Sequence, residues 1–236
     1  MQGVVLAAGE GTRLRPLTAD RPKGLVEVAG QPILSHCFET LASLGAEEFV
    51  VVIGYRGDRI VDRYGDSFCG RPVSYVRQDD REGLADAVLT ARPAVDGDFL
   101  VVNGDNVYDA SLSPVVSRHR ETGADATVLL DTVPAERAGR AGVFERDDGE
   151  LVGLVEKPAE APSREVPRGL YAFSPRIFSA CERIDRADTG EFELTDAIDR
   201  LVAAEDARVE VVELDGWAKN VNTPADRREA TRHFGE

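Results

Sequence analysis

The sequence predicts an α/β fold: a mainly parallel central sheet with helices on both faces, giving way to a more antiparallel second half. Three observations carry this. Short β-branched apolar runs alternate with amphipathic helical runs from Val4 to Asn103, a glycine-rich loop follows the first of those strands directly, and beyond Asp105 strand-like runs succeed one another across turns. In such folds ligands bind at the carboxyl ends of the strands, which is where this loop falls.

In order, Val4 to Ala7 reads as a buried strand, Ile33 to Leu44 as an amphipathic helix stopped by Gly45, and Glu48 to Ile53 as a second strand closed by Gly54. A helix over Asp58 to Tyr64, a strand over Val73 to Arg77, a helix over Leu84 to Ala91 and a strand over Phe99 to Asn103 continue the rhythm. After a helix around Pro114 to Arg120 come four strand-like runs, Thr127 to Leu130, Ala141 to Glu145, Leu151 to Glu156 and Leu170 to Phe173. Asp147-Asp148-Gly149 reads as a hairpin turn between the middle two. Helices over Pro175 to Ile184 and Leu194 to Ala204, a strand over Val209 to Leu214 and a helix after Pro224 complete the reading, with no internal repeat.

The loop reads Leu6-Ala7-Ala8-Gly9-Glu10-Gly11-Thr12-Arg13-Leu14-Arg15-Pro16-Leu17-Thr18, with Pro22-Lys23 close behind. Glycines at 9 and 11 let bare N–H groups approach phosphate oxygens, and Arg13, Arg15 and Lys23 offer cations to the same charge. Leu14 stands where a dinucleotide fingerprint needs its third glycine, and Gly11 is not followed by the Lys-Ser or Lys-Thr of a P-loop. The run instead resembles the signature of the sugar-1-phosphate nucleotidylyltransferases, L-A-A-G-x-G-T-R-L-x-P-L-T followed by P-K. The resemblance implies a Rossmann-like nucleotidyltransferase fold, with the backbone and side chains of Leu6, Ala7, Ala8, Gly9, Gly11, Thr12, Arg13 and Lys23 around a nucleoside triphosphate. It reads residues 1–236 as a single domain, in which 1–110 form the nucleotide-binding half and 111–236 the sugar-phosphate-binding half.

Further motifs extend the resemblance. Gly104-Asp105-Asn106 matches the family's G-D-N, which makes Asp105 the metal aspartate for Mg²⁺, a cation that prefers oxygen ligands. Its partner falls within Trp217-Ala218-Lys219-Asn220-Val221-Asn222-Thr223-Pro224; Asn222 is the first choice and Asn220, where many relatives carry Asp, the second. A helix N-cap by Asn222 or Thr223 is the structural alternative. Gln78 with Gly83-Leu84 resembles the base-reading segment of uridylyl- and thymidylyltransferases. Glu156-Lys157-Pro158 resembles E-K-P, which assigns Glu156 to sugar hydroxyls and Lys157 to the sugar phosphate, on the side of the reacting phosphorus opposite Lys23. Gly142 and Tyr171 match sugar-wall positions. Ala141 replaces a family Tyr and Thr189 a family Arg before Gly190-Glu191-Phe192-Glu193-Leu194-Thr195-Asp196, which leaves the sugar open.

Composition bounds the partners. The net charge is −15 over 236 residues, which excludes a nucleic-acid face of the usual basic kind. Of 28 basic residues only Lys23, Lys157 and Lys219 are lysine, and an acidic, lysine-poor surface is the habit of proteins from salt-saturated cytoplasm. Cys37, Cys69 and Cys181 have neither disulfide-framework nor zinc spacing, and no run is long enough to span a membrane. A soluble cytoplasmic protein is expected. His36, His119 and His233 read as surface or packing residues.

Together these imply Mg²⁺-dependent transfer of a nucleotidyl group, from UTP or dTTP, to a sugar 1-phosphate with release of pyrophosphate. Arg13, Lys23, Asp105 and Lys157 carry the catalysis. Cytidylyl transfer to an alcohol phosphate or a pterin, the latter suggested by Asn220-Val221-Asn222-Thr223-Pro224, and a silent nucleotide-binding regulatory homologue are the alternatives.

Overall fold

A computed structural model of the chain describes residues 1–80, 82–148 and 150–235. In order the elements are β1 (Gln2–Ala7), β2 (Glu27–Val28), β3 (Gln31–Pro32), α1 (Ile33–Ser43), β4 (Glu48–Ile53), α2 (Asp58–Tyr64), β5 (Ser67–Phe68), β6 (Arg71–Arg77), α3 (Leu84–Ala91), β7 (Phe99–Asn103), β8 (Asn106–Ser111), α4 (Ser113–Thr122) and β9 (Ala126–Thr132). There follow α5 (Ala135–Ala138), β10 (Gly142–Asp147), β11 (Glu150–Glu156), β12 (Glu165–Phe173), α6 (Arg176–Cys181), α7 (Leu194–Val202), β13 (Val209–Glu213), β14 (Asp215–Asn220) and α8 (Pro224–Gly235). The chain divides into two compact units, Met1–Arg81 with Thr90–Ala110 and Gly216–Glu236, and Glu82–Leu89 with Ser111–Asp215.

The first unit is built on β1, which pairs in parallel with β4 on one side and β7 on the other; β4 pairs in parallel with β6, and β5 closes the edge antiparallel. Both faces of such a sheet are covered, so its central strands are near-continuous apolar runs, and Val4, Val5, Val50, Val51, Val101 and Val102 are all buried. Helix α1 buries Ile33, Leu34, Cys37, Phe38 and Leu41, a helical-period stripe, against this sheet. It comes so close that a Cβ at Gly3 would lie 2.9 Å from Leu41 Cδ1. The Phe38 ring sits 4.9 Å from Phe49 and 4.9 Å from Phe68, so truncating it to alanine costs about 3–5 kcal/mol.

In the second unit β9 is central, with β13 parallel on one side and β12 antiparallel on the other, and β10 and β11 form a separate hairpin. Asp148 opens its turn with φ of 47°; Gly149 of the expected turn lies outside the described residues. Helix α7 buries Leu194, Ala197, Ile198 and Leu201, while Asp199 on another of its faces accepts the Leu154 N–H at 2.9 Å. His119 is a buried packing residue, its Nδ1 3.1 Å from Thr127 Oγ1.

The α/β class with its mainly parallel sheet is as the sequence predicts, and the strands at Glu48–Ile53 and Phe99–Asn103 fall on the expected residues. Three expectations are corrected. The helix expected over Pro175 to Ile184 is shorter, because after Cys181 the backbone tightens to the Arg183 N–H to Ala180 carbonyl bond. The helix expected to reach Ala204 ends at Val202 for the same reason, with the Ala204 N–H bonded to Leu201. Strands β8 and β14, which pair with each other, are additional.

Candidate active site

The site in the first unit is set by the carboxyl ends of β1 and β7. Leu6, Ala7 and Ala8 are buried, and the Gly104 N–H donates to the Leu6 carbonyl at 2.9 Å. A Cβ at Gly104 would stand 2.6 Å from that same oxygen. Only glycine lets the turn after β7 cross so close to β1, and this crossing delivers Asp105 to the loop. Gly11 adopts the left-handed conformation at φ 65°, its carbonyl accepts from Thr18 Oγ1 at 2.8 Å, and its Cα faces the Lys23 stem, where a Cβ would meet Lys23 Cβ at 3.0 Å. The loop therefore folds over Lys23.

Four side chains from distant parts of the chain meet there. Lys23 Nζ donates to Asp105 Oδ2 at 2.8 Å and to Asn222 Oδ1 at 2.7 Å, and Arg13 Nη2 donates to the same Asn222 oxygen at 3.1 Å. Arg15 is turned to Glu10 at 2.7 Å. With side chains 14% and 22% exposed, Lys23 and Asp105 form a largely desolvated ion pair. Asp105 Oδ1 is buried and has no hydrogen-bond partner among the described residues.

Of the alternatives for the Asn220–Asn222 segment, the helix N-cap falls to Thr223. Thr223 caps α8: its Oγ1 accepts the Asp226 N–H at 3.2 Å, while Asp226 Oδ2 accepts the Thr223 N–H at 2.8 Å, a reciprocal capping box. The Asn222 amide oxygen is thereby free of any capping duty and points to Lys23 and Arg13. A carboxylate with an orphaned buried oxygen beside an amide oxygen is a hard oxygen donor set, and it fits Mg²⁺.

In the second unit a separate cluster forms at the end of β11. Lys157 Nζ lies 2.8 Å from Glu156 and 3.3 Å from Glu193, and Thr195 Oγ1 donates to Glu156 Oε2 at 2.8 Å. Burial lowers the Lys157 pKa, but the two carboxylates outweigh it and hold the ammonium above the usual lysine range. Gly142 pairs with Glu156 across the hairpin, and a Cβ on it would stand 2.5 Å from Thr195 Oγ1. The structure thus brings Gly142, Glu156 and Lys157 together. Tyr171 is buried in β12, stacked on Phe173 at 5.3 Å.

Gln78 is buried beyond β6, its N–H bonded to the Ile53 carbonyl at 2.9 Å. Gly83 holds φ of 117° with Phe192 so near that a Cβ would stand 2.4 Å from its carbonyl oxygen, so no other residue fits. Sequence reasoning did not single out Glu193, Thr195 or Asp226 as working residues. The first two stand in the Gly190–Asp196 motif, and Thr223-x-x-Asp226 is a legible capping pattern.

Residues 2–229 match the family model described as nucleotidyl transferase. The chain belongs to this family. It is 46% identical over its full length, and over 97% of the relative's, to the UTP–glucose-1-phosphate uridylyltransferase AglF of Haloferax volcanii. It is 38% identical over 98% of its length to a glucose-1-phosphate thymidylyltransferase of Streptomyces griseus, of which it spans 65%. A crystal structure of a UDP-glucose pyrophosphorylase with UDP-glucose superposes with a TM-score of 0.90 over 99% of this chain and 98% of that one, at 22% identity, a likeness of fold. The nucleotidyltransferase is thus an enzyme of mixed α/β architecture, and among its described residues no helix is long and apolar enough to cross a membrane.

Proposed function

We propose that this nucleotidyltransferase moves a uridylyl or thymidylyl group from UTP or dTTP to the phosphate of a sugar 1-phosphate and releases pyrophosphate. The observation that carries the reading is the convergence of Arg13, Lys23, Asp105 and Asn222 at the glycine-rich loop. Full-length similarity to a uridylyltransferase supports the donor and acceptor classes.

Asp105 and Asn222 would hold Mg²⁺, which supplies charge neutralisation at triphosphate oxygens when bound. The chain's own residues do the rest. Backbone N–H groups of Ala8, Gly9 and Gly11, with Arg13, take the β- and γ-phosphates, and Lys23 faces the leaving pyrophosphate. Gln78 and Gly83 contact the base. Lys157, kept cationic by Glu156 and Glu193, orients the acceptor phosphate, and Glu156, Gly142 and Tyr171 bound the sugar. A phosphate oxygen of the acceptor attacks the α-phosphorus in line, the bond to the β-phosphate oxygen breaks, and no covalent enzyme intermediate forms. Positioning and charge stabilisation account for catalysis, so no His or Ser nucleophile is needed.

The acidic surface and sparing use of lysine fit a salt-rich cytoplasm; urea midpoints that rise between low and molar KCl are expected, and equal midpoints refute that setting. The activity itself is tested by pyrophosphate release over a matrix of UTP, dTTP, CTP, ATP and GTP against glucose 1-phosphate, other sugar 1-phosphates, an alcohol phosphate and a pterin. Release with UTP or dTTP and a sugar 1-phosphate is expected. Release only with CTP and the non-sugar acceptors, or with no pair, overturns the assignment.

A further inference from the structure

Lys219 is the lysine that the reaction does not use. Its side chain on β14 is 9% exposed and lies between Asp226 Oδ1 at 3.3 Å and Glu229 Oε2 at 2.6 Å, both on α8. A cation there costs desolvation, and this chain uses arginine at 25 of its 28 basic positions. Its partner Asp226 is equally committed. The second Asp226 oxygen accepts from the Asn222 N–H at 3.2 Å, the Thr223 N–H at 2.8 Å and Thr223 Oγ1 at 2.8 Å. On the other side the Val221 N–H donates to the Asp105 carbonyl at 2.8 Å, with Val221 fully buried. The turn from Asn220 to Thr223 is thus gripped at both ends: by Asp105's own backbone before Asn222, and by the Lys219-anchored Asp226 carboxylate at Asn222 itself.

We propose that Lys219 and Asp226 are positioning residues, which hold the Asn222 amide oxygen at the cation site by fixing the turn that carries it. The Asp226 carboxylate reads three donors of the turn, and Lys219 fixes that carboxylate from its far side. Neither side chain touches Asp105, Lys23 or Arg13 through any described hydrogen bond. Glu229 supplies an internal control, because it clasps Lys219 but makes no described bond to the turn. Loss of Glu229 therefore loosens α8 against β14 and leaves the Asn222 backbone bonded. Groups that orient metal ligands in this indirect way typically change metal affinity or activity by about 10- to 100-fold when removed.

The inference rests on Asn222 as a cation ligand, and its test separates the two claims. Water-proton relaxation enhancement of Mn²⁺–UTP on the enzyme reads the cation site without turnover, and steady-state kinetics give kcat and the acceptor KM. For Asp226→Asn and for Lys219→Met the expected result is Mn²⁺–UTP affinity weakened about 10-fold or more and kcat lowered similarly, with the acceptor KM unchanged. Glu229→Gln lowers the urea midpoint and leaves the cation affinity within about 2-fold; Lys219→Arg recovers part of the loss. If Lys219→Met does not fold, Asp226→Asn carries the test, since its single amide oxygen cannot accept from both the turn and Lys219. Asn222→Ala that weakens Mn²⁺–UTP binding while Asp226→Asn does not overturns the positioning role. Asn222→Ala without effect overturns the ligand assignment instead. Equal effects of Asp226→Asn and Glu229→Gln on cation affinity also overturn the proposal.

Discussion

Replacing Lys23 with methionine keeps the aliphatic stem beneath the loop and removes only the ammonium. The gross attraction between charges 2.8 Å apart at an effective dielectric of about 20 is about 6 kcal/mol, most of it offset by the desolvation of both groups. What the variant suffers is the orphaned carboxylate. Among the described residues Asp105 Oδ1 already lacks a hydrogen-bond partner, and without Lys23 its Oδ2 loses the Lys23 bond as well. Breaking a fully buried pair costs about 3–5 kcal/mol, and with Asp105 at 22% exposure a loss of about 2–3 kcal/mol is expected here. For a chain of 236 residues that corresponds to a melting temperature lower by roughly 5–10 °C. Asp105→Asn in the Lys23→Met background removes the stranded charge and should restore about 1–2 kcal/mol, so the double-mutant cycle gives a coupling of at least that size, larger by whatever Asp105→Asn costs on its own. Urea unfolding followed by Trp217 fluorescence measures it. Additive effects, with coupling below about 0.5 kcal/mol, would show that Lys23 and Asp105 do not share a desolvated site. Turnover of Lys23→Met should fall by about 10²- to 10³-fold irrespective of the stability loss.

Arg13→Ala removes an exposed guanidinium that bonds Asn222, so stability should stay within about 0.5 kcal/mol of the parent while turnover falls about 10²- to 10³-fold; near-normal turnover refutes its role. Of the three thiols, Cys37 is raised far by burial and then by nearby Asp105, and Cys181 is pushed by burial up to about 12, while Cys69 is exposed. Ellman's reagent should therefore titrate one thiol rapidly in the native protein and three in denaturant, and two fast equivalents would contradict the packing. Burial, followed by the charges of Glu156, Glu193 and Asp199, raises the Asp196 pKa. The native state then holds that proton more tightly than the unfolded one, so wild-type stability declines as pH rises through the raised range. Asp196→Asn should match the parent below the ordinary carboxylate range and exceed it at pH 7.5, and a pH-independent difference in urea midpoints would refute this.

The parallel core was legible because strands covered on both faces are written as uninterrupted valine-rich runs, as at Glu48–Ile53 and Phe99–Asn103, and need no tertiary information to be found. Strands β8 and β14 were not. Their sequences, Asn106-Val107-Tyr108-Asp109-Ala110-Ser111 and Asp215-Gly216-Trp217-Ala218-Lys219-Asn220, are rich in residues depleted from strands. They extend because each supplies the other's partner across a hundred or so residues of chain, information no local window holds. The same distinction governs the site. The loop and Lys23 announce themselves by spacing, whereas the meeting of Asn222 with Lys23 and Arg13 depends on the fold and is not written in any local window. Arg15, as basic as Arg13 on paper, is claimed by Glu10.

The bonds that close the site join residues 199 and 209 positions apart in the chain. Closing contacts of that span costs the most chain entropy in the site, so this cluster is expected to assemble late in folding. A partly folded chain with β1, β4 and β7 assembled would already display the glycine-rich loop and yet lack the amide oxygen opposite Asp105. Recovery of activity on refolding is therefore a stricter clock than recovery of secondary structure, and for this enzyme the two need not keep the same time.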